Sequence, residues 1–273
     1  MRTCIVSPHL DDALLSCGVL IQRRRALGDE VLVLNVFTAG AGAAERRAED
    51  ERATARLGAE AVYLDELDAP DRDAAFRSVR ALVFGDADDL VVGRVERRVR
   101  EVLAARAIDV AYFPLAVGTH VDHRVAHAVG RRIDDRSVRF YEDRPYVLWQ
   151  GALQARMREL GVDAGLPVVS AQAMAAAVED YAYLEYFLPR ELQAELLPLY
   201  LRPTAQGAAL AARCEALTAT SDELHVLYSA LACYASQMPL IYPSESIFMR
   251  DSLRHEQART GECAYVERAW ALA

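Results

Sequence analysis

Two short stretches of the chain gather most of the side chains that can hold a metal ion or move a proton. The first is Pro8-His9-Leu10-Asp11-Asp12. Its His9 and Asp12 are three apart, so in a tight turn both can reach one point, with Asp11 between them. The second is Gly118-Thr119-His120-Val121-Asp122-His123, with His127 one helical turn on. Three of the six histidines fall in the last eight residues of that segment. His120 and His123 have the spacing that brings both to one helix N-terminus, and His123 and His127 would share a helical face. Imidazole nitrogen and carboxylate oxygen both suit zinc, and a catalytic zinc takes three protein groups and leaves a position for water. More than three candidates are present, which leaves groups over for acid–base work. Spacing alone does not choose among the histidines. One Asp in the first stretch would read as a cap on the following helix. A His with two Asp after a strand reads as a site.

These stretches converge only if the right elements carry them. Short apolar runs at 3–7, 31–37, 61–65 and 109–114 read as buried strands, and 138–143 as a fifth. Helical patterns fill the gaps at 13–28, 45–57, 94–106 and from 123 onward. Strands alternating with helices of this length mean βαβ units. The expected fold is α/β: a Rossmann-like, mostly parallel sheet with helices on both faces and a helical C-terminal elaboration. Ligands of such sheets sit beyond the carboxyl ends of the strands, where residues 8–12 and 118–123 both fall. The chain reads as a single domain over 1–273. A sheet core spans about 1–145, a helical elaboration about 148–239, and a C-terminal segment 240–273. The elaboration is exemplified by 170–187 and 224–237 and is expected to wall the pocket.

Composition removes several alternatives. The formal net charge of −9 gives no electrostatic footprint for nucleic acid and none for an anionic membrane. All 31 basic residues are Arg, so no lysine Schiff base or lysine general base can form. Cys4, Cys17, Cys214, Cys233 and Cys263 are odd in number and scattered, as expected of free thiols in a reducing compartment. No apolar run approaches the ~18–20 residues of a membrane span, and no signal-like segment precedes the first strand. The expectation is a cytoplasmic protein with no integral membrane association. Gly40-Ala41-Gly42 follows the second strand and lacks the third glycine of a dinucleotide fingerprint. No Gly-x-Ser-x-Gly elbow occurs, which leaves a serine-hydrolase mechanism without support. The charged run 45–52 reads as a solvated helix face, with one Arg near enough to the strand ends to turn inward.

With those residues in view, the chain resembles the PIG-L/LmbE-like N-deacetylases, which are N-acetylglucosaminyl deacetylase-like enzymes. Residues 7–18 are similar to the family's first signature, with its His-Pro-Asp-Asp-Glu core, and 118–127 to its His-x-Asp-His signature. Residues 46–60 are similar to its Arg-x-x-Glu helix leading to Leu-Gly. Cys233-Tyr234-Ala235-Ser236-Gln237 is similar to a Tyr-x-Ser-Gln stretch of bacterial members, antibiotic-pathway enzymes among them. The resemblance implies His9, Asp12 and His123 as ligands of one Zn2+ per chain, another divalent metal being an alternative, and Asp11 as general base. It implies that His120 polarises the carbonyl or protonates the leaving amine, that Asp122 orients a histidine, and that Arg46 touches the substrate. Two positions depart from the pattern: the Glu after the Asp pair is Ala13, and a Tyr that some relatives carry two residues before His120 is Gly118. The implied reaction is hydrolysis of the acetamide of a small molecule bearing N-acetylglucosamine, with a specialised-metabolite or antibiotic precursor as the preferred substrate. The alternative is a zinc amidohydrolase releasing a larger acyl group or acting on a non-sugar amide.

Overall fold

The computed structural model describes residues 1–133, 137–178, 181, 183–184, 188–201 and 210–272. The strands are β1 (Arg2–Ser7), β2 (Glu30–Ala39), β3 (Glu60–Leu67), β4 (Val110–Pro114), β5 (Val138–Tyr141), β6 (Ala212–Thr218) and β7 (Val266–Leu272). Their order in one sheet is β3-β2-β1-β4-β5-β7-β6. The first five pair in parallel, and β7 runs antiparallel to both β5 and β6. β1 and β2 are buried along nearly their whole length, as strands covered on both faces must be. Rossmann-like order with helices on the sheet confirms the α/β expectation.

Helices α1 (Asp12–Ala26), α2 (Ala43–Arg56), α3 (Ala69–Arg72), α4 (Val79–Phe84), α5 (Asp89–Ala105) and α6 (Val121–Arg132) connect the parallel strands. Beyond β5 come α7 (Ala152–Glu159), α8 (Ala171–Val178), α9 (Gln193–Tyr200), α10 (Ser221–Leu231), α11 (Met238–Ile241) and α12 (Glu245–Thr260). Part of the expected helical run 170–187 lies outside the described residues. Two expectations need correction. The stretch 148–239 is not helical throughout: β6 lies within it, an edge strand whose mostly exposed residues leave no apolar run to read. The second expected helical run, 224–237, ends early, because α10 stops at Leu231 and residues 232–237 form turns. No helix among the described residues is long and apolar enough to cross a membrane.

The chain leaves β1 to build β2 and β3 on one side, then returns to lay β4 on the other. That reversal opens a crevice at the carboxyl ends of β1 and β4. Helix α1 starts in this crevice and is broken at Cys17 (φ −134°, ψ 18°). Beyond the break, the freed N–H groups of Val19 and Leu20 each donate to the Glu267 carboxylate of β7 at 2.8 Å. A kink needs such a partner, since buried backbone donors are costly to leave unpaired.

Candidate metal centre and active site

The turn after β1 is tied by Ser7, whose hydroxyl donates to His9 O at 2.6 Å and accepts Ala13 N–H at 2.9 Å. Ser7 therefore serves the first turn of α1, and the Asp11 side chain makes no capping bond there. Asp12 Oδ2 accepts the His9 backbone N–H at 2.9 Å, which folds the turn back on itself. The loop after β4 is more strained. Ala116, Gly118 and Thr119 all have positive φ (62°, 84° and 65°). Left-handed backbone at non-glycine residues costs ~1–3 kcal/mol each and concentrates at functional sites. Thr119 is held by its hydroxyl on Val83 O at 2.7 Å, and Gly118 O accepts from the Tyr200 hydroxyl of α9 at 3.1 Å.

These two loops bring His9, Asp12 and His123 together, with one ligand atom from each lying within 4.8 Å of the others. Asp12 Oδ2 stands 3.2 Å from His9 Nδ1 and 3.2 Å from His123 Nε2. His123 is fully buried, and its Nε2 has no hydrogen-bond partner. A buried orphan nitrogen beside a carboxylate, with a second imidazole opposite, is the donor set a catalytic zinc takes. The residues fit the metal. His123 Nδ1 lies 2.7 Å from Asp143 Oδ1, which fixes the ring and leaves Nε2 toward the cluster. His9, His120 and Asp122 form a second group within the same distance. Its Asp122 is already taken: Oδ1 accepts from Arg72 at 2.8 Å, and Oδ2 from Ala69 N–H at 2.8 Å, with His9 Nε2 at 3.3 Å. A cation there would face the Arg72 guanidinium, so the His9, Asp12, His123 group is the better metal site.

Charge follows the same partition. Burial alone would raise the Asp12 carboxyl, but His123 and His9 hold it well below its usual range. Burial would lower His9 and His123, yet Asp12 with Asp122, and Asp12 with Asp143, raise them to about 9 and about 10. Asp11 goes the other way: burial and the Asp12 charge push it up, against Arg46 and His9. Burial and then the nearby His9 charge lower His120 to about 3, so it stays neutral. Its Nδ1 accepts the Asp122 N–H at 3.2 Å, which places the ring proton on Nε2. The Asp122 carboxylate lies against the His9 ring. The Asp122 hydrogen bond to His120 comes from the backbone N–H, while the carboxylate acts on that ring through charge alone.

His127 does not join the group. Its Nδ1 lies 3.0 Å from Pro114 O and its ring packs on Phe140, behind the cluster. Arg46 is half-buried; its charge acts on Asp11, and its Nε has no partner. Sequence reasoning missed Asp143, Arg72 and Tyr146. Asp143 follows β5 and obeys the strand-end rule that singled out the other loops, so it was findable. Tyr146 stands edge-on to His123 with ring centroids 5.3 Å apart. A Cβ at Gly118 would lie 2.5 Å from its Cδ1, so the Tyr146 ring closes the space above that glycine.

The chain is similar to several known proteins. The family described as PIG-L, GlcNAc-PI de-N-acetylase, matches residues 4–133, which hold both loops. The 2′-N-acetylparomamine deacetylase of Streptomyces fradiae is 31% identical over 231 residues, covering 76% of this chain and 79% of that protein. A deacetylase–teicoplanin complex from the teicoplanin biosynthesis pathway superposes with a TM-score of 0.67 at 19% identity, over 100% of this chain and 98% of the other. The N,N′-diacetylchitobiose deacetylase of Pyrococcus horikoshii does so at 0.53 and 14% identity, over 100% and 83%. At those identities the two structures speak for the fold. The sequence relative, which carries identity across most of both chains, settles the kinship: this chain belongs to the PIG-L/LmbE family of N-deacetylases.

Proposed function

We propose that the protein is a zinc-dependent N-deacetylase acting on the acetamide of an N-acetylglucosamine-type sugar in a small antibiotic precursor of the aminoglycoside kind. The observation that carries this is the His9, Asp12, His123 group, in which Asp12 and His123 are buried and His9 half-buried, with Asp11 pushed up by burial and His120 kept neutral beside it. A bound zinc would supply Lewis acidity, drawing the pKa of a water toward ~7 and polarising the amide carbonyl.

The chain's own residues do the rest. Asp11, raised and outside the ligand set, accepts a proton from the attacking water. His120 Nε2–H donates a hydrogen bond to the carbonyl oxygen as negative charge develops on it, a role suited to a neutral, preorganised imidazole. A neutral imidazole is a poor acid, so the proton taken by Asp11 is the one passed to the departing amine. Asp143 and Asp122 hold the rings of His123 and His9 in register. Arg46, whose charge acts on Asp11, donates through its guanidinium to the sugar hydroxyls.

The test uses 2′-N-acetylparomamine and a panel of its analogues with longer acyl groups or non-sugar amides. The zinc-loaded protein should release acetate from the acetylated sugar and hold about one zinc per chain. His123→Ala should lose metal and activity together. Full activity in that variant sinks the metal assignment, and faster release of longer acyl groups or from non-sugar amides sinks the substrate assignment.

A further inference from the structure

The turn after α10 reaches back across the molecule and grips α2. Tyr234 donates its hydroxyl to Asp50 Oδ1 at 2.6 Å, and Asp50 Oδ2 accepts from Asn35 of β2 at 3.0 Å and from Tyr63 of β3 at 2.9 Å. Ser236 takes the adjacent Glu49 twice, with its backbone N–H to Oε1 at 2.9 Å and its hydroxyl to Oε2 at 2.6 Å. Glu49, Asp50 and Tyr234 are all buried. Two consecutive carboxylates on one helix, each claimed by the same turn, are more than general packing requires.

The grip matters because of what lies one turn upstream. Arg46 and Asp50 are four apart and share the inner face of α2. The helix start offers little hold on Arg46. It follows Gly40 and Gly42, both at positive φ, and no side chain caps it. Arg47 pairs with Asp65, but that pair is half-exposed and weak by nature. In the half of α2 that carries Arg46, the buried, hydrogen-bonded anchors are therefore Glu49 and Asp50.

We infer that Tyr234 and Ser236 are positioning residues, which set the pose of Arg46 toward the substrate by clamping Asp50 and Glu49. This rests on the proposed N-deacetylase reading, in which Arg46 contacts the sugar. Tyr234→Phe deletes one donor to Asp50 and leaves the ring in place. Ser236→Ala, at an exposed residue, deletes one donor to Glu49 and guards against a fold defect in the first variant.

On 2′-N-acetylparomamine both variants should raise KM about three- to tenfold, the size of one lost hydrogen bond, with kcat and zinc content kept within about twofold. In an Arg46→Ala background the same changes should raise KM no further, because the residue they position is gone. Equal effects with and without Arg46, or an unchanged KM at a lowered Tm, would reduce the clamp to a structural contact. Amide exchange over residues 43–50 needs no substrate and should quicken in both variants. Unchanged protection there overturns the clamp even if the probe is never hydrolysed. Arg46→Ala with wild-type kinetics instead removes the reading of Arg46, and this inference with it.

Discussion

Helix α1 begins twice, and a buried carboxylate stands at each beginning. Asp12 opens the first segment in the crevice beyond β1, and Glu267 meets the second, where the break at Cys17 frees the N–H groups of Val19 and Leu20. Burial works against ionisation at both. At Asp12 two imidazoles reverse that effect, and the group stays charged. At Glu267 the two backbone donors and Arg144 offset only part of it, and the carboxyl is pushed up to about 7. Burial alone therefore does not mark a functional acid. Asp12 faces unsatisfied imidazole nitrogen, whereas Glu267 faces donors it has already satisfied.

The largest effect should come from splitting Asp11 from Asp12. Asp11→Asn keeps the shape and removes the proton acceptor, so kcat should fall on the order of 10²–10⁴ while zinc stays bound. A variant that loses its zinc would make Asp11 a ligand and blur the contrast between neighbours. Next comes Asp143→Asn, which leaves His123 in place but weakens the hold on its Nδ1. Zinc affinity should drop about 10–100-fold, read by chelator competition, and added zinc should restore turnover. Turnover that stays low at saturating zinc would assign Asp143 a direct part in the reaction.

Glu267→Gln should leave kcat and zinc content nearly untouched and change the pH dependence of stability. The folded value lies above the ordinary 4.5, so the unfolded chain ionises first as pH rises. Stability is then lost between about pH 4.5 and pH 7 and is level above, by roughly 3 kcal/mol for this one group. Denaturant unfolding of the two proteins at pH 5 and pH 8 isolates the difference, and parallel curves would mean that Glu267 does not titrate in this way. Smallest of all should be Arg52→Ala. Arg52 lies exposed on α2, and its loss should leave KM unchanged, where Arg46→Ala raises it.

The parallel half of the sheet was legible because fully buried strands write continuous apolar runs, and the site because its histidines and aspartates fall directly after two of them. The choice among histidines was not legible from spacing. His123 and His127 share a helix face, but only His123 lies at the first turn, near the strand ends; His127 lies a turn deeper against Phe140. Arg72 and Tyr146 carry no signature because each reaches the cluster from a single short helical turn inside a connection, one after β3 and one after β5. β6 and β7 were missed because an edge strand buries little and its neighbour is interrupted by Glu267 and Arg268. The Tyr-x-Ser-Gln stretch was visible as a pattern, but its partners Glu49 and Asp50 lie nearly two hundred residues away, with separations of 187 and 184.

The contact between Val19 and Glu267 spans 248 residues. During synthesis, His9, Asp12 and His123 all leave the ribosome long before β7 exists. Until β7 docks, the N–H groups freed at the break in α1 lack the carboxylate that pairs them. Contacts of such separation are slow to form, and domains complete them only when the full chain is available. The metal-binding residues are thus translated early and made rigid late, so a nascent chain carries the donors well before it carries the site.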